Sequence, residues 1–306
     1  MRPLLSLFVR LSLALILAAV ALFPSSARAQ STTWFGSTGN WSTAVNWSNG
    51  EPTADVDAIL SGSGTAQVTM SGEICRNLFA GNVSITTGGS LNVIHRIQAG
   101  NINQNGGAVS ADSLMLGVST IGQYLMFNGT LTVNHLVVGT AVPSSANFST
   151  SASNPNITVA HSLTVGRGAN IVSGAGTLTV GTSSADSLVV FGAYQMANRP
   201  TQKVTNFVMR PLAVMNVTIL FNGITPIVSS GAAILDGTLN VFDLSAPNGT
   251  YELVRGNPIS EDFDVINLPA AGDWSWRIEG NSLLVTKGPV PVKPTTWSRL
   301  KAGWNE

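Results

Sequence analysis

Short runs of alternating apolar and polar residues fill the chain from Ala58 to Phe242. Val, Leu, Ile and Thr occupy these runs, and Gly, Ser and Asn separate them. Alternation over short runs is typical of half-buried strands, whereas a helix would place apolar residues three to four positions apart. The pattern therefore predicts an all-β fold with many short strands and turns.

The predicted strands belong to a repeating unit of two short apolar runs joined by a polar corner and followed by glycine. Its leading apolar positions, 91, 109, 131, 157 and 178, are separated by 18, 22, 26 and 21 residues. A sequence pattern that recurs about every 20 residues is typical of stacked repeats. The copies are Leu91–Gly100, Val109–Gly117, Leu131–Gly139 and Ile157–Gly166, with weaker ones at Gly176–Gly181 and Gly237–Val241.

One such unit cannot bury its own apolar face, so successive units must stack. Each strand then pairs with its counterpart one coil away, at about 4.8 Å, and glycine at the coil ends supplies positive φ. We predict a parallel β-solenoid over residues 58–245; an antiparallel sandwich, which also has frequent turns, is the alternative. The predicted inward residues are Leu91, Val93, Leu131, Val133, Ile157, Val159, Leu178 and Val180.

Residues 1–29 show the three-part pattern of a secretory signal peptide. Arg2 and Arg10 precede the apolar run Leu11–Leu22, and Ala27-Arg28-Ala29 places small residues before Gln30. The apolar run is shorter than the roughly 20 residues that a membrane span needs, which favours cleavage over an uncleaved anchor. We expect an exported protein, secreted or held at the cell surface, with no transmembrane segment after cleavage.

The other end predicts a separable tail. Residues 289–306 begin with a proline-rich linker, and Trp297, Leu300 and Trp304 follow at i, i+3 and i+7. That spacing suits one short amphipathic helix. A frayed terminus is the alternative.

Composition narrows the possible partners. Charged residues make up 10% of the chain, and 15 basic residues balance 15 acidic ones. Loss of three arginines with the signal peptide leaves a formal charge of −3, which offers no basic surface for nucleic acid. Cys75, the single cysteine, cannot form an internal disulfide and is expected to be a buried filler.

Catalytic groups are sparse. Solenoid enzymes that cleave polysaccharides need carboxylates and bases gathered on neighbouring coils, but the charged residues between 58 and 235 do not recur at one coil spacing. We therefore predict no catalytic residue and no cofactor, and we interpret the later acids as a solvated rim. The charged residues of the coils are Glu73, Asp112, Asp186, Arg76, Arg96, Arg167, Arg199, Lys203 and Arg210; the later acids are Asp236, Asp243, Glu261, Asp262, Asp264 and Asp273.

Three histidines occupy the same corner of the repeat. If the coils stack in register, His135 and His161 lie one coil apart, near the distance that two metal ligands need. A polar corner position that happens to be His is the simpler interpretation, because Asp112-Ser113 stands there in another coil and no recurring carboxylate accompanies the set of His95, His135 and His161. We assign no metal ligand from the sequence, and metal binding by these histidines stays an open question.

The opening segment is rich in tryptophan. Exposed Trp34, Trp41 and Trp47 could stack on sugar rings, or they could cover the open end of the solenoid, whose unpaired strand edges would invite aggregation. Terminal repeats must differ from internal ones, which favours a cap over residues 30–57.

Both ends of the mature chain resemble exported bacterial proteins of the autotransporter-associated β-strand repeat family. The resemblance is carried by Trp34–Trp47, Gly50, Pro52 and Asp57-Ala58 at the start, and by Gly249–Val254, Ile259–Phe263, Trp274–Trp276 and Leu283–Val285 in a β-rich closing segment over residues 246–288. It implies a right-handed parallel β-helix with an adhesive or architectural role and no catalytic residues. We expect no membrane barrel after Pro289–Pro294.

These observations predict an exported structural or adhesive protein that is not an enzyme. Surface glycans or other cell-envelope components are the expected partners, and the oligomeric state is left open. One alternative is a polysaccharide lyase or glycoside hydrolase that uses the late acids, such as Asp262 and Asp264. The other is a non-catalytic carbohydrate-binding module that uses Trp34, Trp41 and Trp47.

The processing site gives the first test. The exported chain should begin at Gln30, because signal peptidases cleave after small residues at −3 and −1. Intact-mass measurement or N-terminal sequencing of the exported protein checks this, and retention of residues 1–29 would contradict it.

Overall fold

The computed structural model describes residues 30–118, 121–140, 145–151, 154–174, 176–197 and 199–288. The predicted signal peptide and the predicted tail lie outside these ranges. Within them the chain forms strands, one short 3-10 helix and no α-helix, and it contains no helix suited to crossing a membrane.

The strands in chain order are β1 Gln30–Thr33, β2 Thr38–Asn40, β3 Val56–Ile59, β4 Thr65–Val68, β5 Glu73–Cys75, β6 Leu78–Ile85, β7 Ser90–Gln104, β8 Ala108–Leu116, β9 Gly122–Met126, β10 Thr130–Val138, β11 Ala146–Thr150, β12 Asn156–Val165, β13 Ala169–Ser173 and β14 Thr177–Val180. They continue with β15 Ser187–Val190, β16 Ala193–Met196, β17 Thr201–Val204, β18 Phe207–Met209, β19 Val214–Leu220, β20 Ile227–Ser229, β21 Ala233–Ile234, β22 Thr238–Leu244, β23 Gly249–Arg255, β24 Ile259–Ser260, β25 Val265–Asn267, β26 Trp274–Glu279 and β27 Ser282–Lys287. The 3-10 helix is Ala44–Asn46.

Parallel pairing between successive coils arranges these strands in three faces, which confirms the parallel β-solenoid, with about ten turns, over the sandwich. Face 1 has a middle row from Thr32 to Ile259 and comprises β1, β3, β6, β7, β8, β10, β12, β15, β18, β21 and β24. Face 2 has a middle row from Gly39 to Ile266 and comprises β2, β4, β6, β7, β9, β11, β13, β16, β19, β22 and β25. Face 3 has a middle row from Glu73 to Val254 and comprises β5, β7, β8, β10, β12, β14, β17, β20 and β23.

The register of face 3 matches the alignment of the sequence repeats. The direct partners on successive coils are Leu91, Val109, Leu131, Ile157 and Leu178. All eight residues predicted to point inward are buried.

Two features of the fold differ from the prediction. Each coil has a third strand on face 2, and the weak copy Gly237–Val241 lies on that face rather than on face 3. The stacked strands also extend beyond residues 58–245 at both ends, because β1 and β25 belong to the faces.

Apolar side chains stack coil upon coil along the interior. The core is continuous from Trp34 to Val285, so each coil buries the open face of its neighbour. Two polar pairs interrupt it: the hydroxyl of Tyr124 donates to Gln104 Oε1 at 2.6 Å, and that of Tyr194 donates to Gln202 Oε1 at 2.7 Å. These bonds satisfy hydroxyls that would otherwise be buried without a partner, which is costly.

The corner between faces 1 and 2 requires glycine for two reasons. Gly139 has φ 75°, which L side chains rarely adopt. Gly166 on the next coil lies against it, and a Cβ at Gly166 would be 1.8 Å from the carbonyl oxygen of Gly139. The repeat-closing glycine is thus needed for close backbone approach as well as for positive φ.

A pair of neighbouring residues tests the inward register. Val133→Asp should lower the free energy of unfolding by about 4 kcal/mol or more, because it buries an unpaired charge at a 1% exposed position. Thr132→Asp, on the same strand but exposed, is the control and should change it by less than about 1 kcal/mol. Denaturant unfolding measures both, and equal losses would contradict the register.

Candidate functional site

The corner between faces 3 and 1 brings two of the three histidines together. His135 is in register with Ser162, so His161 on the next coil lies beside it, and the two ring centroids are 5.4 Å apart. Nδ1 of His135 shares a hydrogen bond of 2.8 Å with Ser162 Oγ. His95 lies two coils before His135, about 10 Å away by the spacing of strands. The corner therefore forms a pair and not a triad.

A carboxylate missed by sequence reasoning lies next to this pair. Nδ1 of His161 is 3.3 Å from Asp186 Oδ1, and the side chain of Asp186 is only 8% exposed. Backbone N–H groups of Thr182 and Ser183 donate to Asp186 Oδ2, and these bonds, with the smaller contribution of His161, lower the pKa of Asp186 to about 2. The sequence held a signal, since Asp186-Ser-Leu188 repeats Asp112-Ser-Leu114 at this corner.

The described residues contain no group of three or more His, Cys, Asp or Glu side chains arranged to hold a metal ion. His135 and His161 are close, but neither Asp112 nor Asp186 joins them as a third ligand. Asp112 Oδ1 instead accepts a hydrogen bond from the Asn134 amide at 2.9 Å.

The other charged groups named from the sequence are scattered or paired. Arg76 binds Asp57 at 2.7 Å, and that guanidinium lowers the pKa of the Asp57 carboxyl. Lys287 Nζ lies 2.7 Å from Asp243 Oδ2, and the hydrogen bond from that ammonium group lowers the pKa of the Asp243 carboxyl. Glu261, Asp262 and Asp264 are exposed in the connection between β24 and β25 of the last coil. Exposed charges beside terminal strands discourage edge-to-edge association.

The three N-terminal tryptophans are buried, with exposures of 2%, 0% and 3% for Trp34, Trp41 and Trp47. Trp47 packs edge-on against both of the others, at centroid distances of 5.1 and 4.9 Å, and its indole N–H donates to the Trp41 carbonyl at 2.7 Å. Their ring faces are therefore not available for stacking on a sugar. The structure contradicts the carbohydrate-binding alternative in the form that used these residues.

The same segment covers the outer edge of β1. Backbone N–H of Ser48 donates to the Thr33 carbonyl, N–H of Phe35 donates to the Asn46 carbonyl, and the Asn49 amide donates to the Ser31 carbonyl. These bonds occupy carbonyl and N–H groups that a free edge strand would present to another chain.

The outward rows give each face a different chemistry. On face 3 they are mostly hydroxyl and amide groups in two parallel lines. On face 1 one row is largely apolar, which the sequence analysis did not anticipate. The face 3 rows are Ser90, Ala108, Thr130, Asn156, Thr177 and Thr201, and Asn92, Ser110, Thr132, Thr158, Thr179 and Lys203; the face 1 row is Ile59, Phe79, Gln98, Met115, Val137, Thr164, Val189, Val208 and Ile234.

Face 2 carries a ladder of asparagine amides. Asn267 Nδ2 donates to Asn240 Oδ1 at 2.8 Å, and Asn240 Nδ2 donates to Asn216 Oδ1 at 2.9 Å. Each amide thus binds its counterpart one coil back, so the outward surface adds hydrogen bonds that run along the stack. Stacked amides of this kind reinforce parallel in-register strands.

Comparison of this chain with protein-family models, with curated proteins and with solved structures found no match.

A carboxyl pair near the N-terminal end predicts a pH dependence. Burial, with a hydrogen bond and repulsion from Glu51, raises the pKa of Glu73 to about 7. A raised folded-state pKa means that the protonated form is stabilising: the contribution is complete below about pH 4.5 and is lost as the pH rises through 7. Glu73→Gln should therefore lose less stability than the parent chain between pH 5 and pH 8, a range from about two units below that pKa to about one unit above it.

Thermal unfolding across that pH range measures the effect. The slope of the variant is compared with that of the parent chain, so that contributions shared by both cancel. Glu261→Gln, at an exposed position of the last coil, is the control and should keep the parental slope. A Glu73→Gln variant with an unchanged slope would contradict the assignment.

Proposed function

We propose that the protein is an exported, non-catalytic structural or adhesive solenoid that binds hydroxyl-rich polymers, such as cell-envelope glycans, through face 3. The observation that carries this proposal is the pair of outward hydroxyl and amide rows on face 3. Export rests on the signal-like pattern of residues 1–29.

The geometry of these rows favours many weak contacts along a chain-like ligand. Neighbouring members of a row lie about 4.8 Å apart, and the two rows are two residues apart along each strand, which is about 6.7 Å. A hydroxyl donates and accepts hydrogen bonds, as sugar hydroxyls do. Ser110 Oγ already donates to Asn92 Oδ1 at 3.0 Å, which shows that the side chains of neighbouring coils are within hydrogen-bonding distance.

Catalysis is less well supported. An active site needs a few titratable groups held together in a cleft. The carboxyl whose pKa is raised to about 7, Glu73, is 6% exposed and is paired with Glu51 rather than with a base. The exposed late acids have no cationic partner among the described residues.

A matched pair of triple variants tests the proposal. Thr132→Ala with Thr158→Ala and Thr179→Ala removes three hydroxyls from one row of face 3. The control removes three outward hydroxyls elsewhere: Ser84→Ala and Ser149→Ala on face 2, and Thr164→Ala on face 1. Binding of the exported chain to a panel of polysaccharides and cell-envelope fractions is measured for both.

The face 3 triple should bind at least tenfold more weakly, since each lost hydrogen bond costs about 0.5–1.5 kcal/mol. The control should bind like the parent chain. Equal loss in both triples would contradict the assignment to face 3. Turnover of a polysaccharide that disappears in Asp262→Asn or Asp264→Asn would overturn the non-catalytic function.

A further inference from the structure

We propose that the His135–His161 pair binds one divalent transition-metal ion, with water completing the coordination sphere. This site is independent of the proposed glycan binding, because it lies at the corner and not within the rows of face 3. The proposal rests on the proximity of the two rings, on the partners of their Nδ1 atoms and on the local charge.

The stacking of coils sets the proximity. His135 and His161 are exposed and project from successive coils at one corner, with ring centroids 5.4 Å apart and ring planes 35° apart. Two nitrogens bound to one zinc ion, each at about 2.1 Å, lie about 3.4 Å apart. Each ring centroid lies farther from a bound ion than its ligating nitrogen does, so rings with centroids 5.4 Å apart need to turn their nitrogens toward one ion rather than to move closer. A side chain as exposed as His161, at 49%, can rotate to do so.

The Nδ1 partners leave the Nε2 atoms available as ligands. A carboxylate only accepts hydrogen bonds, so Asp186 holds the neutral His161 ring with its proton on Nδ1 and its lone pair on Nε2. The Ser162 hydroxyl shares a hydrogen bond with Nδ1 of His135, and the tautomer in which it accepts that bond leaves the lone pair on Nε2 of the second ring as well. A metal-bound imidazole with a carboxylate on its other nitrogen is a recurring arrangement, in which the carboxylate orients the ligand and strengthens it.

The charges around the corner favour a cation. Asp186 on one side and Asp112 on the other are carboxylates on the flanking coils. Arg96, a base in the same column as His135, is two coils away from it, and its guanidinium lies over the Phe79 ring at 5.4 Å, on the far side from the pair.

Two protein ligands define the expected selectivity. Imidazole suits Zn²⁺, Ni²⁺ and Cu²⁺, and affinity should follow the general order in which Cu²⁺ binds more tightly than Ni²⁺ or Zn²⁺. Mg²⁺ and Ca²⁺ prefer oxygen ligands and should not compete.

The test is calorimetric titration of the tag-free chain with Cu²⁺, Ni²⁺ and Zn²⁺, with electron paramagnetic resonance of the Cu²⁺ form to count nitrogen ligands. One ion should bind per chain, with two nitrogens. His135→Gln and His161→Gln should each weaken binding at least tenfold, and Asp186→Asn, a positioning variant, about tenfold. His95→Gln is the matched control, since it removes a histidine outside the pair, and should change affinity less than about twofold.

Circular dichroism of each variant establishes that the fold is intact, which is expected for exposed corner positions. Binding that survives His161→Gln, equal sensitivity to His95→Gln, or no saturable binding in any metal titration would each overturn the proposal. Weaker metal binding in the His135→Gln and His161→Gln variants but not in His95→Gln, together with a Cu²⁺ spectrum that shows two nitrogen ligands, supports the proposal.

Discussion

In-register parallel pairing between coils is the constraint on which the rest of the structure depends. Because each residue lies in register with its counterpart one coil away, every position along the stack belongs to a column of equivalent positions. Inward columns must then be largely apolar, with buried polar members such as Gln104 and Gln202 hydrogen-bonded inside the core. Corner columns must allow backbones to approach closely, as Gly139 and Gly166 do. For the same reason, an outward residue type that recurs at one position of the coil forms a row along the stack. The hydroxyl, amide and histidine side chains of successive coils therefore lie beside one another.

A stack of parallel coils has an unpaired strand edge at each end, and the two ends of this solenoid cover that edge in different ways. At the N-terminal end the segment around Trp47 hydrogen-bonds to the outer edge of β1 and packs three indoles over the core. At the C-terminal end face 3 changes direction: β27 pairs antiparallel with β23, and β26 pairs antiparallel with β27. Reversal of strand direction at β27 ends the parallel column of face 3, and two antiparallel strands take the place of the next coil on that face.

The features that could be predicted from the sequence are those whose residue types recur at every coil. The register of face 3 and the burial of Val133 follow from apolar residues that recur at every coil. Face 2 was missed because its inward column mixes Tyr124, Phe148 and Met215, and because loops of unequal length precede its strands. The Asp186 contact was missed for a related reason: 25 residues separate it from His161, a spacing that only the observed pairing of Ser162 with Ser187 makes equivalent to one coil.

Unequal loops have a consequence for how such a protein can change. The coil that joins Ile97 to Leu114 takes 17 residues, whereas the one that joins Leu136 to Leu163 takes 27, yet both present the same columns. Length is thus absorbed at the corners and does not disturb the chemistry of a face. Duplication or deletion of a whole coil would lengthen or shorten a binding row by one site, so the valency of such a surface can evolve without any change in the contacts that each site makes.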